Sequence, residues 1–323
     1  MADLRRVATR IQVEAKIRAP SSHFLKCDID VALSQSRFAN NVVINTRNIS
    51  VLSLEDVGGM KEVKRKLLEV LIWPFKYSEV FQTYGLCQGR GVLLHGPSGC
   101  GKTLLAKAAA AHSKYNSIFV KGPELLSKYI GSSEENVRNV FERARASAPC
   151  IIIFDELDSL APQRGSDSTG VADRVVNQML TEMDGVEVIQ GVFVIGCSSR
   201  IDLIDSALLR PGRFDHILEC RAPNEQDRSE ILEIVLRSVN HYPSISTADW
   251  AKRTDGWTGA DLKALITNAQ FDAERNFSKN YAYDEGVITI TNENIEAVFE
   301  DSRPRRSIDM RRKFRVGEKV TLA

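Results

Sequence analysis

The stretch Gly96-Pro-Ser-Gly-Cys-Gly-Lys-Thr103 constrains this chain more than any other. Its spacing, Gly, four variable residues, then Gly-Lys-Thr, keeps large side chains away from the tight points. Backbone N–H groups can therefore turn inward and surround a phosphate chain. The apolar run Arg90-Gly-Val-Leu-Leu-His95 precedes the loop, and the Leu- and Ala-rich run Thr103–His112 follows it. That order predicts strand, loop and helix, the context a nucleotide site requires. Gly96, Pro97, Ser98, Gly99, Cys100, Gly101, Lys102, Thr103 and Leu104 are the expected nucleotide-binding residues. Lys102 is placed to reach the terminal phosphates, and the Thr103 hydroxyl to hold Mg2+. Ser98 stands in a variable position, where its N–H serves as well as any other. Cys100 would make ATP binding sensitive to alkylation if its thiol is accessible.

A second element supports the first. Ile151-Ile-Ile-Phe-Asp155-Glu156 is an apolar strand ending in two carboxylates. Asp155, at the strand tip, is expected to hold the metal through water. Glu156 is expected to orient and polarise an attacking water. Asp155-Glu156 without the glycine loop would read as a solvated strand end; after that loop, in this order, the pair reads as a hydrolytic site.

Further apolar runs at Ser117–Val120, Val192–Cys197 and Ile217–Cys220 alternate with helical patterns. One pattern opens with Ser132-Ser-Glu-Glu135, a possible capping box, and carries Val137, Val140, Phe141 and Ala144 on one face. The alternation predicts an α/β domain, a parallel sheet flanked by helices over 51–223. After Pro223 the reading is mostly helical: Asp227–Val239, Ser246–Lys252, Gly259–Asn276 and Glu293–Phe299, a small α-helical domain over 224–303.

The first fifty residues repeat part of that domain. Ala2–Arg18 lines up without a gap with Ala260–Asn276, and Ile29–Leu33 with Ile295–Phe299. Residues 1–50 are thus expected to be the remnant of a preceding helical module and its linker. Met1 would then be a truncation or a gene-model start. The alternative is two generic amphipathic helices. Residues 304–323 form a basic tail, expected to be solvated.

Composition narrows the classes. The net charge of +1 over 323 residues gives no broad field for nucleic acid. The six Cys and five His are scattered without metal-ligand spacing, as expected of reduced thiols in the cytosol. No apolar run approaches the ~20 residues that cross a bilayer, and the N-terminus has no signal-peptide core. Membrane association is expected only through a partner.

From Leu54 to Arg303 the chain resembles the AAA ATPases, in the branch of valosin-containing protein and the membrane-fusion ATPases. Besides the two motifs above, Asp56-Val57-Gly58-Gly59 resembles the segment that packs against adenine. Leu208-Leu-Arg-Pro-Gly-Arg213 resembles the arginine-finger motif, and Thr258-Gly259-Ala260-Asp261 the lid motif near the nucleotide. The resemblance implies an AAA+ fold with a helical lid, and a hexameric ring with ATP bound between subunits. Arg210 and Arg213 would then stabilise charge on a neighbour's γ-phosphate in trans. Lys128, Tyr129 and Ile130 look like the first pore loop, gripping a threaded polypeptide, and Arg164–Gly170 like a second. Ser199 stands where most members carry the Asn of the first sensor, and Ile201 where a Pro is usual. The shorter Ser side chain predicts a looser grip on phosphate or water, and slower hydrolysis.

A closer likeness, carried by Thr169–Gln178, Asp184–Val192, Ser199-Arg200 and Asn268-Ala-Gln270, is to the second module of the peroxisome-biogenesis AAA ATPases. It implies a hetero-hexamer with a second AAA ATPase of the peroxin-six type. That ring would lie in the cytoplasm, peripheral at the peroxisomal membrane, and extract the import receptor. Two alternatives stay open: a general segregase like valosin-containing protein, and a catalytically weak structural ring subunit.

Overall fold

The computed structural model describes residues 53–77, 80, 83–84, 91–125, 132–163, 170–184, 191–242, 245–280 and 289–304. The N-terminal repeat, Lys128, Tyr129 and Ile130, residues 164–169 of the second polar loop, the tail beyond 304, Cys27 and Cys87 lie outside the described residues. All described residues fall within one compact unit, Ile44–Ala323.

A 3-10 turn at Leu54–Asp56 leads to helix α1 (Lys61–Lys76). Five strands follow: β1 (Gly91–His95), β2 (Asn116–Lys121), β3 (Cys150–Asp155), β4 (Val192–Ser198) and β5 (His216–Glu219). Between them run α2 (Lys102–Ser113), α3 (Gly122–Leu125), α4 (Ser132–Ala146), α5 (Leu157–Leu160) and α6 (Val171–Asp184). The strands pair only in parallel, in the order β2-β3-β4-β1-β5. Cys150–Phe154 and all of β4 are buried, because helices cover both faces and leave no solvent side on which polar residues could alternate.

The two faces have separate cores. Leu93, Ile118, Val120, Ile152, Phe154 and Val194 pack with Val137, Val140, Phe141 and Ala144 of α4 and with residues of α6. Those four α4 residues are the face read from the sequence. Ser132 is the first helical residue of α4, so it is not the helix's cap. On the other face Val92, Leu94, Ile151, Ile153 and Ile195 meet α1 and α2.

The strand order positions the site. β4 lies between β1 and β3, with His95 opposite Ser198 and Phe154 opposite Gly196. The loop after β1, the carboxylates ending β3 and the serines ending β4 therefore emerge side by side at the carboxyl edge of the sheet. Open parallel sheets bind ligands at that edge.

The remaining helices are α7 (Glu225–Arg237), α8 (Thr247–Arg253), α9 (Gly259–Asn280) and α10 (Asn292–Phe299). Asn224 caps α7 reciprocally with Asp227, and Thr291 caps α10 with Asn294. Trp250, Trp257, Leu262, Leu265, Ile295 and Phe299 fill their own core. Trp257 stacks on Phe299 with centroids 5.5 Å apart, a contact worth about 1 kcal/mol beyond area burial.

Candidate nucleotide site

A cleft of about 670 Å3 opens between the sheet edge and the helices after Pro223, a volume suited to a small-molecule ligand. Gly58, Ser98 to Leu104, Asp155, Glu156, Ser199, Gly259 and Ala260 all line it. Val57 is buried beneath it at 2% exposure, and its carbonyl accepts from Lys64 Nζ. Gly96 and Pro97 are not among the lining residues; their carbonyls accept from Lys102 Nζ at 2.8 and 2.9 Å.

The loop needs its glycines for two distinct reasons. Gly96 has φ 143°, and a Cβ there would sit 2.1 Å from the Cys220 carbonyl oxygen. Gly101 has φ 80° and caps α2 without a side-chain hydrogen bond. The first N–H groups of α2 thus have no capping side chain, and the positive end of the helix faces the cleft. Lys102, only 9% exposed, adds a buried ammonium held by loop carbonyls. Together these groups make a cradle for a polyanion.

The two carboxylates sit as the sequence predicts. Thr103 Oγ1 donates to Asp155 Oδ1 at 2.8 Å, joining the start of α2 to the end of β3. Hydroxyl and carboxylate oxygens are the hard donors magnesium prefers, and it retains waters and phosphate oxygens for its other positions. No cluster of three or more His, Cys, Asp or Glu competes for a metal among the described residues. Thr103 and Asp155 therefore fit a magnesium that arrives with phosphate. Glu156 follows with φ 54°, a left-handed conformation uncommon for a residue with a side chain. Its carbonyl accepts from Ser159 Oγ at 2.7 Å, and its exposed carboxylate lines the cleft. The turn is fixed by that bond and by the buried Leu157 after it.

Ser199 has a partner that the sequence did not disclose. Its hydroxyl donates to Asp158 Oδ2 at 2.9 Å, and its N–H reaches the same oxygen at 3.2 Å. An ionised carboxylate only accepts, so the Ser199 proton is committed to Asp158 and its lone pairs are what remain. Asp158 lies one turn after Asp155, on α5, and also lines the cleft.

The opposite wall comes from α7 and α9. Ile231, Ile234 and Val235 provide an apolar surface facing Gly58. A Cβ on Gly58 would lie 2.8 Å from the Ile231 backbone, so the Gly-Gly pair is needed for close approach. Gly59 N–H donates to Glu230 Oε2 at 3.1 Å, and Lys61 Nζ lies 2.5 Å from Glu230 Oε1. The hydrogen bond from Lys61 holds the Glu230 carboxyl below the usual range. On α9, Ala260 N–H donates to the Gly99 carbonyl at 3.1 Å. Thr258 and Asp261 bond reciprocally and fix that helix start. Glu230 and the α7 wall had no signal in the sequence beyond a generic amphipathic helix.

Cys100 does not meet the accessibility condition for alkylation. It is 5% exposed, and burial pushes its thiol upward, against the weaker pull of Lys102. Burial takes Cys220 further, to about 11.

The two arginines of the finger motif lie off the cleft and differ from each other. Arg210 is exposed and makes no ion pair among the described residues. Arg213 is paired with Asp184 at the end of α6.

Residues 92–222 match the family described as "ATPase family associated with various cellular activities (AAA)", and residues 244–296 match the "AAA+ lid domain". The Peroxisomal ATPase PEX1 of Arthrobotrys oligospora is 46% identical over 280 residues, 84% of this chain and 24% of that protein. That of Komagataella phaffii is 54% identical over 219 residues, 68% of this chain and 20% of the relative. The Homo sapiens protein of the same name is 50% identical over 230 residues, 71% of this chain and 18% of the relative. The chain therefore spans 18 to 24% of the length of these relatives. The first matched family lies over the sheet, the glycine loop and both carboxylates, the second over the helix whose start bonds that loop: the chain belongs to the AAA ATPases, enzymes that hydrolyse ATP, with a module of the peroxisomal PEX1 type.

Proposed function

We propose that the cleft binds ATP with Mg2+ and hydrolyses it in a hexameric ring, the neighbouring subunit supplying guanidinium charge. The observation that carries this reading is the 2.8 Å bond between Thr103 and Asp155, with Glu156 next in the chain. It brings the two motifs of a phosphoryl-transfer site to one point at the open edge of the sheet.

Lys102 exchanges its loop carbonyls for phosphate oxygens, and the N–H groups of the loop and of the α2 start surround them. Thr103 and Asp155 would hold the magnesium, which would supply charge neutralisation at the phosphates. Glu156 polarises a water, and Ser199, its proton given to Asp158, accepts a hydrogen bond from that water. The adenine would pack against the apolar side of the cleft, lined by Gly58 and the α7 residues Ile231, Ile234 and Val235.

The likeness to the PEX1 proteins supports a reading of the work done with this energy. We assign the ring to peroxisome biogenesis, as a hetero-hexamer with a peroxin-six-type ATPase. It is cytoplasmic and peripheral at the peroxisomal membrane, and extracts the import receptor by threading it past Lys128, Tyr129 and Ile130. None of the helices among the described residues is long and apolar enough to cross a membrane.

Glu156→Gln tests the chemistry. ATP binding is expected to persist while turnover in the assembled ring falls by about 10²–10⁴-fold, the usual worth of a general base. Equal turnover in wild type and variant would defeat the assignment. Affinity recovery of the chain under ATP-loaded conditions tests the partner. Absence of a peroxin-six-type ATPase among the recovered proteins argues for a general segregase instead.

A further inference from the structure

We propose that Arg213 is a positioning residue acting within its own chain, and that Arg210 alone carries charge to the neighbouring site. The division of labour rests on the shared-site reading above and deepens it.

The two arginines are three residues apart in one motif, and sequence gives no reason to separate them. Their surroundings do. Arg213 Nε donates to Asp184 Oδ1 at 2.9 Å, Nη2 donates to Asp184 Oδ2, and Nη1 donates to the Ala207 carbonyl. All three nitrogens of the fork are engaged, in the bidentate geometry that makes Arg–carboxylate pairs strong and directional. The Arg213 side chain is 16% exposed. Asp184 is the last residue of α6, where a carboxylate faces the negative end of the helix dipole. The guanidinium offsets that repulsion.

The pair also fixes a loop. Leu208 and Phe214 are buried at its two ends, and Phe214 N–H bonds the Leu208 carbonyl at 3.2 Å. Arg213 N–H bonds the Arg210 carbonyl at 3.2 Å, and Gly212 N–H bonds Asp215 Oδ1 at 2.6 Å. Arg210 projects from this closed loop into solvent. It reaches a neighbour without breaking any bond. Arg213 would have to leave both Asp184 oxygens and a carbonyl.

Charge reversal separates the two roles. In the assembled ATPase, Arg213→Asp and Asp184→Arg are each expected to lower kcat about tenfold or more with little change in KM for ATP, and the double swap to recover most of it as the pair re-forms. Asp184→Asn, which keeps the shape and removes the charge, is expected to lower kcat as well; a finger released from its tether would keep or raise it. Arg210→Ala is expected to cost about 10³-fold or more, as arginine fingers do, with no rescue from position 184. Melting temperatures of each variant separate loss of fold from loss of positioning. A double swap that recovers its melting temperature but not its kcat overturns the proposal, because the positive charge at 213 is then itself required. So does Asp184→Asn with undiminished kcat. If Arg210→Ala is silent, the shared-site reading fails as well, whereas a dead swap with intact dependence on Arg210 sinks only the division between the two.

Discussion

The two walls of the cleft are held by different physics. On the sheet side, Lys102, Thr103, Asp155 and Ser199 stand on strand ends and on the start of α2. These elements share one continuous sheet and two buried cores. Their polar groups bond one another, as Thr103 does Asp155 and Ser199 does Asp158. On the lid side, α7 to α10 have a core of their own. Polar contacts with the other wall come from Glu230, with Gly59 and Lys61, and from Ala260, with Gly99. An exposed ion pair such as Lys61–Glu230 contributes at most about 1 kcal/mol. The chemistry is therefore fixed and the closure adjustable. Such a site keeps its reacting groups in register while the second wall responds to what is bound.

Substitutions on the two walls should split accordingly. The largest effect on nucleotide affinity is expected for Lys102→Ala. It removes a charge-assisted contact to phosphate worth roughly 2–3 kcal/mol, so ATP affinity should fall about 100-fold, read with a fluorescent nucleotide. An affinity within a few fold of wild type would mean the loop and helix start alone bind the phosphates.

Ser199→Asn is expected next, with a gain. A longer amide can bond Asp158 and still present a group to the phosphate side, so single-turnover hydrolysis should rise by about three- to tenfold. Unchanged turnover would show that the serine's short reach is not what limits the rate.

The smallest effect belongs to the lid wall. Glu230→Gln keeps a side chain that can still bond Gly59 but loses the charge facing Lys61. ATP should bind about two- to threefold more weakly, with kcat unchanged. The pH sign agrees. The folded Glu230 carboxyl lies below its ordinary value, so its contribution is fully present above the unfolded pKa, near 4.3. It disappears as pH falls through the folded pKa, so at pH 7 and above the clasp should not vary with proton concentration. A larger kcat effect than affinity effect would break the distinction between fixed and adjustable walls.

Much of this arrangement was legible beforehand because buried parallel strands write themselves as uninterrupted apolar runs. Cys150–Phe154 and Val192–Cys197 were readable to within a residue of β3 and β4. Gly96–Thr103 and Asp155-Glu156 were legible because their chemistry depends on local spacing. What escaped depends on contacts between distant positions. Gly59 and Glu230 are 171 residues apart, Arg213 and Asp184 29, and nothing in either local pattern names its partner. Asp158 is hidden for another reason: as the second residue of a short helix, a carboxylate reads as solvated until β4 brings Ser199 beside it. The accessibility on which Cys100 reactivity depends is missing, and a variable position in a glycine loop says nothing about depth.

One contact has a mechanical corollary. The bond from Ala260 to the Gly99 carbonyl couples the phosphate cradle to the first turn of a 22-residue helix, about 33 Å long at 1.5 Å per residue. A tilt of about 10° around that pivot carries the far tip through about 6 Å at this length. The loop glycine thus sits at the short arm of a lever, and a small rotation at its carbonyl would be magnified along the length of the helix.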